Sequence, residues 1–324
     1  MGTALITGVA GFIGSSLAEK LLKDNFKVIG IDSFTNNYST LIKEKNIENC
    51  LKYENFSLIR EDLDTLDLST YVEEAEYFFH LSAQPGVRAS WGSEFMTYVK
   101  NNIIVTQKIL ESLKNNTTLK KFVFASSSSV YGNQSGIMNE DTSSTRPISP
   151  YGVTKLAGEN LVNLYFKNYG IPRISLRYCT AYGPKQRPDM AFTRFFYSII
   201  KEQKFTIFGN GEQTRDFTYV DDVIKATTNA AKSDHVREIL NIGGGSIFSL
   251  LQITEFMKEI TKKELQIDFK KEQKGDVKHT NADISKSERL IKYKSNTDIK
   301  LGLTKQYEYI KNNLNLYDGT INYV

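Results

Sequence analysis

The 324-residue chain predicts an α/β fold built on a doubly wound parallel sheet. Three observations predict it. Short apolar runs alternate with amphipathic helical stretches through the first half, a glycine-rich turn joins the first run to the first helix, and an acid closes the second run. Such alternation implies parallel strands covered by helices on both faces.

The elements follow in order. Residues 3–7 form a short apolar strand, and residues 12–22 have helical spacing with Ile13, Leu17 and Leu21 on one face. Residues 27–31, 56–59, 77–80 and 121–125 read as further buried strands. Helices are expected near 97–114 and 150–169, and another strand at 174–178. After Tyr178 the order loosens. Pro184 and Pro188 punctuate a loop, 190–201 has a helical pattern, and 206–208 is a strand before the Gly209-Asn210-Gly211 turn. Residues 240–242 return to an apolar strand before three glycines, and helical patterns recur at 250–260 and near 303–314.

Composition narrows the function classes. Basic and acidic residues number 41 and 37 and are interspersed, for a net charge of +4. No basic block points to nucleic acid. Cys50 and Cys179 have no paired spacing, and His80, His235 and His279 are far apart, so no metal site is expected. No apolar stretch reaches bilayer length and no signal peptide precedes the first strand, so a cytoplasmic protein without membrane contact is expected.

The first functional motif is Gly8-x-x-Gly11-x-x-Gly14, with Phe12 and Ile13 opening the helix. A strand, a glycine turn and a helix start form a pyrophosphate cradle, because the backbone approaches the ligand and the helix N-terminus offers free N–H groups. Asp32, ending the second strand, suits both ribose hydroxyls of NAD and repels the extra phosphate of NADP. The second motif is Tyr151-Gly-Val-Thr-Lys155. Residues four apart share a helix face, so the ammonium is expected to favour a tyrosinate and lower its pKa toward neutrality. Ser127, Ser128 and Ser129 follow a buried strand, where side chains face the ligand crevice. Tyr131 and Tyr182 have no lysine four residues on and read as structural.

These motifs, with His80-Leu-Ser-Ala83, Gly183-Pro184 and Arg215-Asp216-Phe217-Thr218-Tyr219-Val220-Asp221-Asp222, cover nearly the whole chain. Together they resemble the extended short-chain dehydrogenase/reductases, the NAD-dependent nucleotide-sugar epimerase/dehydratase group. The resemblance implies a Rossmann-type NAD-binding domain over residues 1–177 and 219–245. A smaller α/β lobe over 178–218 and 246–324 is expected to bind the nucleotide sugar. It implies Ser127 as the catalytic hydroxyl, Asp62 and Leu63 beside the adenine, Arg215 on the diphosphate and Asp276 on a ribose. Where many relatives carry an arginine three residues before that acid, this chain has Gln273, with Lys274 as a possible substitute. Relatives pair through helices corresponding to 97–114 and 150–169, which implies a homodimer.

The positions after Ser127 separate reactions. Similar 4,6-dehydratases place Asp-Glu there, and UDP-glucuronate decarboxylases a glutamate; this chain has Ser128 and Ser129. Elimination needs general acids and bases that serine does not supply. The segment Arg177 to Phe192 and the run Pro85 to Trp91 resemble bacterial UDP-glucuronate 4-epimerases. Ser128, Ser129, Thr180, Arg187 and Arg88 are the candidate donors to a uronate carboxylate. The resemblance thus implies 4-epimerisation of UDP-glucuronate to UDP-galacturonate through a 4-keto sugar. In this scheme Tyr151 moves the 4-hydroxyl proton and NAD is regenerated. A UDP-glucose or UDP-N-acetylglucosamine 4-epimerase, a UDP-glucuronate decarboxylase and, more remotely, a non-catalytic nucleotide-binding regulator are the alternatives.

Overall fold

The computed structural model describes residues 2–134, 136–245 and 247–321. The first half runs β1 (Thr3–Thr7), α1 (Phe12–Lys23), β2 (Lys27–Ile31), α2 (Thr40–Ile47), β3 (Phe56–Ile59), α3 (Ser69–Glu74) and β4 (Tyr77–His80). It continues through α4 (Phe95–Val99), α5 (Val105–Ser112), β5 (Lys121–Ser127), α6 (Pro150–Tyr169) and β6 (Arg173–Tyr178). The second half runs β7 (Thr180–Tyr182), α7 (Ala191–Ile200), β8 (Phe205–Phe208), β9 (Thr214–Tyr219), α8 (Val220–Lys232) and β10 (Glu238–Ile242). It ends with β11 (Ile247–Ser249), α9 (Leu250–Thr261), β12 (Ile267–Lys270), α10 (Ser285–Ile291) and α11 (Ile299–Asn312).

Seven strands form a parallel sheet in the order β10-β6-β5-β4-β1-β2-β3. The winding reverses at β1, whose neighbours are β2 and β4. A ligand crevice belongs outside the carboxyl ends of the strands at such a switch point. β5 is buried along its whole length, as a central strand covered on both faces must be. A smaller lobe adds the sheet β11-β9-β7 and the pair β8–β12. One apolar core joins Ala4 and Ile6 of the large sheet to Phe196, Ile253 and Leu303 of the lobe, so the two parts share an interior. Among the described residues no helix is long and apolar enough to cross a membrane.

The structure adds α2, α3, β7, β9, α8, β11, β12 and α10 to the elements read from the sequence, and it divides one expected helix. The expected helix at 97–114 is α4 and α5 joined by a π-helical turn, Lys100–Ile104. Asn102 in that turn is buried. Its side chain accepts from the Gln84 N–H at 2.7 Å, and donates to the Gln84 carbonyl at 3.1 Å and the Thr154 hydroxyl at 2.9 Å. The wide turn places this amide between the cleft wall and α6; such bulges recur at functional sites. The helix α8 was not anticipated. It is rich in small and β-branched residues, Thr227 and Thr228 donate back to the carbonyls of Val223 and Ile224, and Val220, Val223, Ile224 and Ala231 give it a buried face at helical spacing.

α6 begins with Pro150 behind Ser149, whose side chain accepts from the Gly152 N–H at 3.1 Å. It lies close on β5. A Cβ at Gly158 would sit 2.5 Å from Phe124 Cζ, so glycine sets the separation of helix and strand. Gly158→Ala is therefore expected to destabilise by about 1–3 kcal/mol, the usual cost of overpacking. Denaturant midpoints measure this, and an unchanged midpoint would contradict the close packing.

Candidate active site

A cleft of about 460 Å³ opens at the carboxyl ends of β1, β2, β4 and β5. Gly8, Gly11, Phe12, Ile13, Gly14, Asp32, Asp62 and Leu63 line one end. Ser127, Ser128, Ser129, Tyr151, Lys155, Thr180 and Arg187 line the other. Residues far apart in sequence therefore meet in one cavity.

The glycine end is shaped for a phosphate-bearing ligand. Gly8 has φ +73°, and a Cβ there would sit 2.9 Å from the Ser82 backbone. A Cβ at Gly14 would lie 2.1 Å from the Gly8 carbonyl oxygen. α1 has Gly11 as its N-cap, with no side-chain cap and no acid in its first turn, so its N–H groups and dipole are left for an anion. Asp32 is held by the Ala10 N–H at 3.1 Å and the Phe34 N–H at 2.8 Å. Lys43, which the sequence reading missed, is buried with its Nζ 3.7 Å from Asp32 and 3.2 Å from the Thr35 hydroxyl. Burial lowers its pKa against the pull of Asp32. Lys43 sits on the short helix α2, whose polar pattern gave no sign that this side chain turns inward. A dinucleotide fits this donor set.

At the other end, Ser127 closes β5 and its hydroxyl accepts from the Ser129 N–H at 3.1 Å. Burial pushes the Tyr151 phenol above its ordinary pKa, while a hydrogen bond with Ser127 and the charge of Arg187 oppose that shift. Burial likewise brings Lys155 down to about 8 against the pull of Glu159. Its ammonium donates to the Ala125 carbonyl at 2.8 Å and lies 5.3 Å from the Phe124 ring centre. Desolvation thus outweighs the expected lowering of the tyrosine, because Lys155 is turned to the strand. His80 is buried between Thr7 and Thr106, at 2.9 and 3.0 Å, and burial holds it neutral with a pKa of about 3. Tyr131 is fully buried and donates to Asn241 at 2.8 Å, and Tyr182 packs among Phe192, Phe217 and Tyr219.

Arg187 lines the cleft but binds Asp189 through Nε and Nη2 at 2.9 and 2.8 Å. Burial works against its charge, and Asp189 more than offsets that. Arg88 does not line the cleft. It pairs with Asp276 at 2.7 Å and lies 4.2 Å from the Phe208 ring centre. Arg215 donates to the Thr214 and Lys278 carbonyls at 2.9 and 3.2 Å, near the charges of Asp276 and Arg88. Arg88 is thus grouped with the nucleotide candidates Arg215 and Asp276 and not with the serines. Gln273 is exposed and donates only to the Lys271 carbonyl, at 3.4 Å.

Residues 4–243 match the model of the NAD dependent epimerase/dehydratase family. The chain belongs to this family. It is 44% identical over 97% of its length to an uncharacterized UDP-glucose epimerase of Bacillus subtilis, 99% of which is covered. It is 38% identical to a UDP-glucuronate 4-epimerase of Thermodesulfobacterium geofontis, with 98% of each chain covered. The crystal structure of UDP-glucuronic acid 4-epimerase from Bacillus cereus, in complex with UDP-glucuronic acid and NAD, superposes with a TM-score of 0.93 at 45% identity. That match covers 96% of this chain and 99% of the other. Tyr151 and Lys155, the Tyr-x-x-x-Lys pair read from the sequence, both line the cleft.

The buried lysine generates a stability prediction. Its folded pKa of about 8 lies below the ordinary 10.5, so the native state disfavours the ammonium. The unfolded chain then binds more protons between these values, and stability rises with pH across that window. Below about pH 8 the penalty is present in full. Lys155→Met is therefore expected to stabilise the ligand-free protein by about 1–3 kcal/mol at neutral pH, since one pKa unit is about 1.4 kcal/mol. The gain should shrink as pH rises toward 10.5. Urea unfolding of both proteins across pH reads it, and a destabilised variant at neutral pH would contradict it.

Proposed function

We propose that the chain is an NAD-dependent 4-epimerase that interconverts UDP-glucuronate and UDP-galacturonate. One observation carries this reading. Among the described residues lining the cleft the acids are Asp32, Glu61 and Asp62, all at the cofactor end. The sugar end offers Ser127, Ser128, Ser129, Thr180 and Arg187 instead. A dehydratase needs a general acid and base beside the sugar. Neutral hydroxyls and one guanidinium suit a bound carboxylate, because charge-assisted hydrogen bonds are roughly twice as strong as neutral ones. The relatives named UDP-glucuronate 4-epimerase support the same substrate.

In this mechanism the glycine turn and the N-terminus of α1 hold the pyrophosphate, Asp32 takes the adenosine ribose, and Asp62 and Leu63 flank the adenine. NAD, when bound, supplies the oxidation and re-reduction at C4. Tyr151 accepts the proton of the 4-hydroxyl and later returns it. Ser127 shares that proton through its hydrogen bond to the phenol. Lys155, as ammonium, stabilises the phenolate and binds the nicotinamide ribose. Arg215 and Asp276 hold the nucleotide in the smaller lobe. Ser128, Ser129, Thr180 and Arg187 hold the carboxylate. Their further task is to keep it out of line with the carbonyl π-system, since a 4-keto uronate is a β-keto acid prone to lose carbon dioxide. Arg88 is assigned here to the Asp276 cluster.

The working unit is proposed to be a cytoplasmic homodimer. α4, α5 and α6 pack together and leave Met96, Ile104, Val153 and Leu164 exposed, a set of apolar side chains suited to a second copy. Cys50 and Cys179 are both free and buried, in keeping with a reducing compartment.

The test is a product analysis with UDP-glucuronate, UDP-glucose and UDP-N-acetylglucosamine at equal concentration. UDP-glucuronate is expected to give UDP-galacturonate of unchanged mass and to turn over at least about tenfold faster than either neutral sugar, a difference of about 1.4 kcal/mol. Arg187→Ala should lower that preference. Faster epimerisation of a neutral sugar would refute the carboxylate assignment, and a product lighter by carbon dioxide would make the enzyme a decarboxylase.

A further inference from the structure

Outside the lining of the cleft lies a buried charged group that the mechanism above does not use. Glu159 follows Lys155 by one helical turn on α6 and is 3% exposed. Arg177 of β6, also 3% exposed, grips it with two hydrogen bonds, Nε to Oε1 at 2.9 Å and Nη2 to Oε2 at 2.8 Å. The Ser126 hydroxyl donates to Oε1 as well. The guanidinium lies 4.6 Å from the centre of the Tyr131 ring, which is itself fixed by its bond to Asn241.

The pattern of contacts along β5 is what points beyond packing. Three consecutive residues at the strand's carboxyl end each meet a different residue of α6. The Ala125 carbonyl accepts from Lys155, the Ser126 hydroxyl donates to Glu159, and the Ser127 hydroxyl bonds Tyr151. Gly158 lets the helix come close enough for all three. A buried ion pair is weak evidence of a stabilising role, because desolvation offsets most of its Coulomb energy. This one also leaves Arg177 Nη1 buried without a hydrogen-bond partner. An apolar pair would fill the same space at no such cost.

We propose that Glu159 is a positioning residue for the reaction, holding the Lys155 ammonium in its charged form and fixing the end of β5 against α6 so that Ser127 meets Tyr151. This rests on the reading of Tyr151 and Lys155 as the proton-transfer pair. Arg177 clamps the carboxylate in place through its two hydrogen bonds. The charged and titratable groups facing Lys155 are Glu159 and Tyr151 on α6 and the neutral His80 on β4. Arg177 stands behind Glu159, and Arg187 acts on Tyr151 from the loop after β7. Glu159 is the one anion among them, so its removal should discharge Lys155 at lower pH.

The experiment compares wild type, Glu159→Gln, Glu159→Asp and the double variant Glu159→Gln/Arg177→Met. Two quantities are followed through the alkaline range, kcat and the retention of NAD on gel filtration. In Glu159→Gln both alkaline limbs are expected to move down by about one pH unit, the lower end of the shift an opposite charge produces. Glu159→Asp should restore the limbs even where its melting temperature is lowered. The double variant removes both buried charges together, so it decides the matter if the single one fails to fold, and its limbs should move in the same direction. Lower melting temperatures with unmoved limbs would overturn the proposal and leave the pair a packing feature. Lys155→Met separates the two levels. If NAD retention in that variant keeps the wild-type limb, the titrating group is not Lys155, and the reading of the Tyr151/Lys155 pair fails first.

Discussion

The contact of α6 with β5 is the constraint on which the rest of the site depends. Both proposed proton-transfer residues ride on the helix, and Ser127 ends the strand with Ser128 and Ser129 directly after it. Their mutual distances are set by one separation, which Gly158 and the Phe124 ring define. Hydrogen bonds from Lys155 and to Glu159 then fix the register along the pair. The remaining architecture supplies what this contact needs. The parallel sheet brings the glycine turn after β1 and the acid after β2 to the same edge as the end of β5. The π turn beside α6 lets Asn102 brace Gln84 and Thr154 across the cleft wall.

Much of this was legible in the sequence because the signals are local. β1, β2 and β4 are short apolar runs bounded by polar or glycine residues, and their limits agree with the strands observed. The start of α6 is marked by Ser149 and Pro150, and its end by Gly170 in a left-handed conformation. The glycine spacing and the Tyr151/Lys155 spacing carried the candidate site, and both sets line one cleft. What escaped depends on tertiary contact. Lys43 is an ordinary helical lysine until α2 packs it against Asp32. Glu159 and Arg177 are an ordinary acid and base until β6 and α6 bury them face to face. The signal for α8 is local and legible, since Val220, Val223, Ile224 and Ala231 have helical spacing, yet this helix is not among those expected above. Arg88 was placed with the serines on resemblance alone, and only the fold shows that Asp276 claims it.

The distribution of charge divides the cleft into two chemical regions. The cofactor end holds carboxylates, backbone N–H groups and the N-terminus of α1, which suit ribose and pyrophosphate. The sugar end holds hydroxyls and Arg187. Arg187 is already paired with Asp189, on a side chain 21% exposed. In the proposed binding mode a uronate would share the guanidinium with Asp189 or displace it, with Ser128, Ser129 and Thr180 completing the cage.

The proposed reaction oxidises and re-reduces C4 within one cleft, with no acid or base acting elsewhere on the ring. The direct measurement is the fate of the hydrogen on C4. UDP-glucuronate carrying deuterium at C4 is converted in ordinary water, and unlabelled substrate is converted in deuterium oxide, with both products read by NMR and mass spectrometry. The C4 label is expected to be kept in the UDP-galacturonate, with no solvent deuterium entering any carbon. Loss of the C4 label, or solvent deuterium at C5, would place the chemistry on another carbon or in exchange with water and would contradict it.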